Sequence, residues 1–380
     1  MKNFGIICEY NPFHRGHAKQ IAHVRSLGRS VCLMSGSYVQ RGEPAIIDKY
    51  LRAKGAVLSG ADLVLELPIP YVLSSAEGFA DGGVEIFSRL GCVEELCFGS
   101  EWGKGEALLD CAKLLLTEEF SKEVKEQLKK GISFPKARQL AVEALGGNGS
   151  LLEQPNNILG IEYCKARVKR GNRITPHAIY REGDYHGGSD PQNPSASFLR
   201  GLENWKGYVP EEAYEVFTSA PRYTTEAGER AWLARLRSMS EADFEALPYG
   251  SEGLWRKLMH SVRSSATLEE ILEKTKSKRY PMTRLKRMLL CAYLGVTEEM
   301  LSMDIPYIRV LAMNERGQEI VGSLRKNENI RLLHPGQEAS QCDYSELERR
   351  AEDLYELFRV NSPGTAGKQA QARLFRNAEK

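Results

Sequence analysis

Residues 9–17 read E-Y-N-P-F-H-R-G-H and follow directly on the apolar run F-G-I-I-C (4–8). A proline and a glycine straight after a strand force a tight turn. The glycine admits backbone close to a ligand, and the helix that follows offers its N-terminal amides to an anion. His14 and His17, three residues apart, would sit at the turn and in the first helical turn. Together they can set two imidazole donors against a phosphate and offset the charge that builds during substitution at phosphorus. Such chemistry needs no protein nucleophile, because positioning and electrostatics do the catalysis. A second reading is that the two histidines cap the helix and meet only solvent. Metal ligation is disfavoured: no third His or Cys lies nearby, and the strand-end carboxylates stand unpaired in sequence.

The elements that must position this turn are legible around it. Phe4–Cys8 reads as a strand, 17–27 as a helix with Ile21, Val24 and Leu27 on one face, and Ser30–Met34 as a second strand. Residues 48–59 read as a helix, 62–68 as a third strand, 75–90 as a helix and 95–100 as a fourth strand. Short apolar strands separated by helix-length segments imply βαβ units and a parallel sheet. Ligands of such sheets lie beyond the carboxyl ends of the strands, where E-Y-N-P-F-H-R-G-H and F-G-S-E (98–101) fall.

Two amphipathic helices are expected between 104 and 145, then a strand at 173–181, a Gly/Asp/Ser/Pro/Asn-rich loop at 182–194 and a helix opened by S-A-S-F-L-R (195–200). Beyond Gly201 the alternation stops, which predicts two domains, 1–201 and 202–380. The second is read as mainly helical through 225–303, with a small β-hairpin in 306–334 turning at Asn314–Gly317. A charged helix at 343–359 then precedes a loose basic tail. There is no internal repeat.

Composition sets bounds. The chain has 380 residues, 42% of them hydrophobic and 27% charged, an ordinary balance for a soluble globular protein. A net charge of +2 means that any nucleic-acid contact must come from a local basic patch. No apolar run approaches the ~18 residues that would span a bilayer. The first strand is too short, and too quickly ended by Glu9, to read as a secretion signal. The eight cysteines are scattered with no C-x-x-C pair, which supports neither zinc nor a disulfide framework and points to the cytoplasm.

N-P-F-H-R-G-H resembles the T/H-x-G-H signature of the nucleotidyltransferase superfamily. The longer pattern is similar to one family within it. G-I-I-C-E-Y-N-P-F-H-R-G-H (5–17), the stretch 34–49, A-D-L-V-L-E-L-P (61–68), C-F-G-S-E (97–101) and P-N-N-I-L-G-I-E-Y (155–163) together resemble the bacterial tRNA(Met) cytidine acetate ligases. The resemblance is dense over the first ~200 residues and thin beyond, and it implies an α/β, Rossmann-like nucleotidyltransferase sheet. It also implies use of ATP and acetate to acetylate N4 of the wobble cytidine of elongator tRNA(Met), through an acetyl-adenylate and without acetyl-CoA. Carried over by position, ATP would meet Ile7, Cys8, Glu9, Tyr10, Asn11, Pro12, Phe13, His14, Gly16 and His17, together with Gly99, Asn157 and Arg181.

Each assignment has a physical side and a plain alternative. A missing side chain at Gly99 lets backbone approach the base or ribose, or the glycine merely serves a turn. Asn157 can pair a ribose or base edge, or cap a helix. Arg181 can fork two phosphate oxygens, or lie solvated at a strand end. S-A-S-F-L-R resembles the I-S-S-T-x-I-R element that grips triphosphate, here through Ser197 and Arg200, although Pro194 departs from the pattern and Ser195 can be a plain N-cap. Gln40 and Arg41 could hold acetate or the developing acyl phosphate, or belong to an exposed loop. Mg2+ would accompany the triphosphate, but no carboxylate cluster in the sequence marks a metal site.

For RNA, residues 274–287 carry seven basic residues and no acidic one. Leu285, Met288, Leu289 and Ala292 would form a buried stripe that leaves Arg284 and Arg287 wetted beside Lys278 and Arg279, with Tyr280 able to stack on an unpaired base. The alternative is an ordinary solvated basic face. Two rival functions remain at this point: an adenylyltransferase acting on a phosphorylated cofactor precursor, and a non-catalytic RNA-binding protein on the same fold.

Overall fold

The structure is a computed structural model and describes residues 1–181, 189–277 and 279–377. Lys278 and most of the loop expected at 182–194 therefore lie outside the described residues. The strands are β1 (Lys2–Cys8), β2 (Gly28–Ser35), β3 (Tyr38–Val39), β4 (Glu43–Pro44), β5 (Leu63–Leu67), β6 (Glu95–Ser100), β7 (Thr175–Tyr180), β8 (Tyr307–Asn314), β9 (Arg331–Leu333) and β10 (Phe375–Asn377). β3 and β4 pair only with each other, while the other eight form one sheet in the order β10-β8-β5-β2-β1-β6-β7, with β9 on β8. All its pairings are parallel except the antiparallel β5–β8 joint.

Period-two alternation sorts the sheet residues into two cores. Val31 and Leu33 of β2 pack with Ala80, Val84 and Phe87 of the helix Ala76–Leu90 on one face. Cys32 and Met34 pack with Ile21 and Val24 of the helix Arg15–Leu27 and with Ala53, Ala56 and Val57 of the helix Lys49–Leu58 on the other. Helices on both faces explain why β5 and β8 are buried along their whole length. A third core joins the helical segments between 225 and 294 to the helix Asp343–Tyr355 and to Tyr38 and Leu73. From β1 the chain steps outward through β2 to β5. It then crosses back through Ala76–Leu90 to β6 on the other side of β1. The order reverses between β1 and β6, which opens a crevice at their carboxyl ends.

Four expectations are corrected. The hairpin at Asn314–Gly317 does not form: Asn314 is the N-cap of a helix, Glu315–Ser323, its Oδ1 accepting from the Gly317 amide at 2.9 Å. β9 then returns parallel to β8. Gly317 answers a close approach rather than a hairpin turn, since a Cβ there would lie 2.0 Å from the Asp62 carbonyl oxygen. Secondly, β8 to β10 all lie beyond residue 201 yet complete the N-terminal sheet. Thirdly, the tail is not loose: Phe375–Asn377 pairs with β8, and Lys368 reaches Asp48 at 2.5 Å and Glu356 at 2.9 Å. Finally, three helices rather than two fill 105–144, because Thr117 and Ser133–Phe134–Pro135 restart the chain.

Candidate active site

A cavity of about 410 Å³ occupies the crevice at the ends of β1 and β6, within the range of small-molecule sites. The turn after β1 is held from below. Tyr10 stands at a left-handed φ of 47°, its ring 1% exposed and set edge-on to Phe13 at 4.8 Å. Asn11 accepts the Ile46 amide at 2.8 Å, and its carbonyl takes a hydrogen bond from Arg200 at 3.0 Å. The buried Arg52 guanidinium braces the same turn, donating to the carbonyls of Glu9, Ser35, Gly36 and Ile47.

His14 is the N-cap of the helix Arg15–Leu27, its Nδ1 accepting from the Gly16 amide at 3.1 Å. His17 Nδ1 accepts from the His14 amide at 3.3 Å, and the two rings stack 3.6 Å apart. Because both Nδ1 atoms accept, each neutral ring carries its proton on Nε2 and is a donor there. Burial, and then the nearby Arg181, pushes His14 down to about 3. Burial, then His14 and Arg181, also holds His17 well below its ordinary value. Both are therefore neutral at pH 7. The helix-capping alternative is thus realised together with the cavity-lining one: each ring caps with one nitrogen and keeps the other.

This has a consequence for stability. As pH falls below 6.5 the unfolded chain takes up a proton at position 14 that the folded chain refuses until about pH 3. Stability is complete above that window and declines on acidification by about 1.4 kcal/mol per pH unit from this group. Urea midpoints at pH 7.5 and 5.5 should show the loss, and His14→Asn should reduce it by this group's share, leaving the part that His17 contributes. An equal loss in the variant would assign the acid sensitivity elsewhere.

Of the other expected residues, Ile7, Cys8, Glu9, Tyr10, Asn11 and Gly16 line the cavity, as do Gly99, Arg181, Arg200, Gln40 and Arg41. A Cβ on Gly99 would meet only Arg181 atoms, at 3.6 and 3.8 Å, so the space beside it belongs to the cavity. Burial raises Glu9, against the pull of the Arg200, Arg41 and Arg52 guanidiniums, and its carboxylate accepts the Gln40 amide at 2.7 Å. Gln40 is further tied through Nε2 to the Ser74 carbonyl at 3.2 Å.

Other positions differ from expectation. Pro12 and Phe13 are buried beneath the turn rather than on the cavity wall. Asn157 sits behind the wall, its Oδ1 accepting from Ser100 at 2.7 Å and from the Trp102 amide at 3.1 Å. Its neighbour Asn156 lines the cavity instead and accepts from Arg181 at 3.3 Å. Glu101 accounts for this, because its carboxylate takes the amides of both asparagines at the head of the helix Pro155–Lys169. Ser195 is the plain N-cap, accepting from the Phe198 amide at 3.1 Å. Ser197 is exposed and receives Arg41 and Arg200. Lys19, Gln20 and an apolar wall of Phe79, Phe98, Leu159 and Tyr163 also line the cavity. The wall residues read in sequence as ordinary core positions, so only the fold reveals them.

The expected RNA cluster is split: Arg287 is buried, Arg284 and Tyr280 are half-buried, and Arg279 is exposed but paired. Arg287 is 7% exposed, not wetted: it lies over the Tyr249 ring at 5.3 Å and donates to the Gln40 carbonyl at 3.4 Å. The cause is the loop 36–44, which packs on the helix Met282–Leu294; a Cβ on Gly42 would meet the Arg287 amide nitrogen at 2.5 Å. Arg284 donates to the Tyr249 carbonyl at 2.8 Å, and Arg279 pairs with Glu252 at 2.7 Å. The Tyr280 hydroxyl also binds Glu252, at 3.0 Å.

A mostly parallel sheet whose first strand runs into a stacked pair of neutral histidines at a helix head defines a nucleotidyltransferase, and the chain matches the family described as HIGH Nucleotidyl Transferase over residues 1–370. Within that class it belongs to the tRNA(Met) cytidine acetate ligase family. It is 35% identical over 357 residues to the tRNA(Met) cytidine acetate ligase of Clostridium acetobutylicum, covering 87% of this chain and 89% of that protein. It is 34% identical over 412 residues to that of Alkaliphilus metalliredigens, covering 97% of each. Among solved structures, Thermotoga maritima TmcAL bound with alpha-thio ATP superposes with a TM-score of 0.88 at 29% identity over 100% of both chains.

Proposed function

We propose that this chain is a cytoplasmic ligase that activates acetate with ATP and acetylates N4 of the wobble cytidine of elongator tRNA(Met). The observation that carries the reading is the pair of Nε2–H donors of His14 and His17 at the head of a helix, in one cavity with Arg181, Arg200, Gln40 and Arg41. The nucleoside would lie against the apolar wall and Gly99, and the triphosphate would face the histidines and arginines. An acetate oxygen, held beside Gln40 and Arg41, attacks the α-phosphorus. The bond from that phosphorus to the bridging oxygen breaks, and pyrophosphate leaves. The cytidine amine then attacks the acetyl carbonyl, loses a proton and releases AMP. The two imidazoles meet the charge that develops on phosphoryl oxygens without changing their own protonation. Residues 1–201 would carry most of this cavity, and 202–380 would hold the RNA.

The residues do not fit a protein-held metal ion. Glu9 is the one carboxylate among the described lining residues, and it is given to the Gln40 amide. The buried acids Asp48, Glu352 and Glu356 are answered by Lys368 and Lys49. Mg2+ would instead be brought by the triphosphate, where it would offset phosphate charge. No helix among the described residues is long and apolar enough to cross a membrane.

The test is exchange of labelled pyrophosphate into ATP with formate, acetate, propionate or butyrate, and separately with phosphorylated cofactor precursors. Exchange that requires acetate, followed by acetylation of tRNA(Met), is the expected result. Exchange driven by a phosphorylated precursor would make the protein an adenylyltransferase instead.

A further inference from the structure

In the basic run 274–287, Arg287 is buried, Arg279 is paired with Glu252 and Lys286 with Glu43, whereas the helix Leu254–Arg263, L-W-R-K-L-M-H-S-V-R, carries exposed cations without such partners. Its buried stripe is Leu254, Trp255, Leu258, Met259 and Val262. The side chains left exposed are Arg256, Lys257, His260 and Arg263, three cations and an imidazole with no acid among them. Among the described residues, none of the three cations forms an ion pair with a carboxylate. Arg256 lies over its neighbour Trp255 at 4.6 Å, and Lys257 donates to the Lys276 carbonyl at 3.0 Å. That last contact, with Lys274 bound to the Ser264 carbonyl, brings two further lysines beside the helix.

The helix is also tied to the cavity. The Tyr249 hydroxyl, just ahead of it in the chain, donates to the Leu73 carbonyl at 2.7 Å. The next residue, Ser74, accepts from Gln40 of the cavity lining at 3.2 Å. Arg287 closes the link by contacting both Tyr249 and Gln40. These contacts fix the segment leading into the helix against the loop that carries Gln40.

We propose that this face, Arg256, Lys257, His260 and Arg263, is the phosphate-contacting surface for RNA. The proposal rests on the ligase reading above. Cations without a carboxylate partner, spaced along one helix, neutralise a polyanion without giving up an ion pair, whereas Arg279 would have to leave Glu252 and Arg287 is buried.

The experiment titrates tRNA(Met) across a salt series against the parent, against Arg256→Gln/Lys257→Gln/Arg263→Gln and against Arg279→Gln/Arg284→Gln. Acetate-dependent pyrophosphate exchange is measured on each. The helix variant should bind at least about 10-fold more weakly and lose roughly two to three units of slope in log K against log salt, with exchange unchanged. All three side chains are exposed, and circular dichroism checks that the fold is kept. Parental binding in the helix variant would overturn the proposal, as would loss confined to the Arg279/Arg284 variant. A parent that exchanges pyrophosphate but binds no tRNA would overturn the ligase reading, and this surface with it.

Discussion

Replacing His17 with alanine slows acetate-dependent exchange of pyrophosphate into ATP by about 10²–10³-fold, the scale set by removal of one preorganised donor to a developing oxyanion. The expectation follows from how little freedom the ring has. Its Nδ1 is bound to the His14 amide at 3.3 Å, and its face stacks on His14 at 3.6 Å and tilts against Tyr10 at 4.9 Å. The Nε2–H thus points from a fixed position and needs no reorganisation as charge builds. The His14→Ala/His17→Ala double variant should be only a few-fold slower than either single one, because residues acting on one group are not additive. The pH profile carries independent information. Both rings are neutral well below pH 6.5, so kcat/KM for ATP should show no limb near the ordinary histidine value. An imidazolium mechanism would produce one. Exchange at the full rate in His17→Ala, or a histidine limb near 6.5, would remove these rings from the chemistry.

The second large effect concerns how the C-terminal half is held on the sheet. Arg309 of β8 is 3% exposed and forks Glu348 of the helix Asp343–Tyr355, at 3.0 Å from Nε and 2.7 Å from the terminal nitrogen. The same carboxylate accepts from Tyr307 and from Gln369 of the tail, both at 2.8 Å. Although burial opposes it, the Arg309 guanidinium keeps the Glu348 carboxyl below its usual range. Glu348→Ala strands a buried guanidinium and should destabilise the protein by about 3–5 kcal/mol. The Arg309→Met/Glu348→Leu pair removes both charges, fills the space and should recover most of that loss. Denaturant unfolding of the parent and the two variants decides it. A single variant no worse than the double one would show that the pair is solvated or dispensable. The helix also carries Glu352, which accepts from Ser37 at 2.5 Å, so loss of this anchor should loosen the loop that bears Gln40 and Arg41.

The seven segments from Phe4 to 100 were legible because their signals are local. Alternating apolar runs set β1, β2, β5 and β6, and the strand-to-helix turn at 9–17 follows from Pro12, Gly16 and the capping histidine. Even the tautomer of the histidine pair depends on amides two or three residues away. The cavity's place was readable for the same reason, since β1 and β6 must end where E-Y-N-P-F-H-R-G-H and F-G-S-E begin.

What failed depended on partners far along the chain. N-E-R-G at 314–317 has the composition of a hairpin turn, yet the backbone of Asp62 lies against Gly317 and β8 pairs with β5, about 250 residues away in sequence. Asn156 and Asn157 cannot be told apart by type; Ser100 and Glu101 decide which one faces the cavity. The run 274–287 looked like a wetted basic face because helical periodicity predicts the stripe toward its own core. It says nothing of a second element, the loop 36–44, arriving on the other side to bury Arg287. Local residue order was enough to specify the histidine turn, the parallel half of the sheet and the residue types that line the cavity. Only the tertiary structure decided which cations stay free for solvent, because a charge is spent or kept according to the neighbour that folding brings to it.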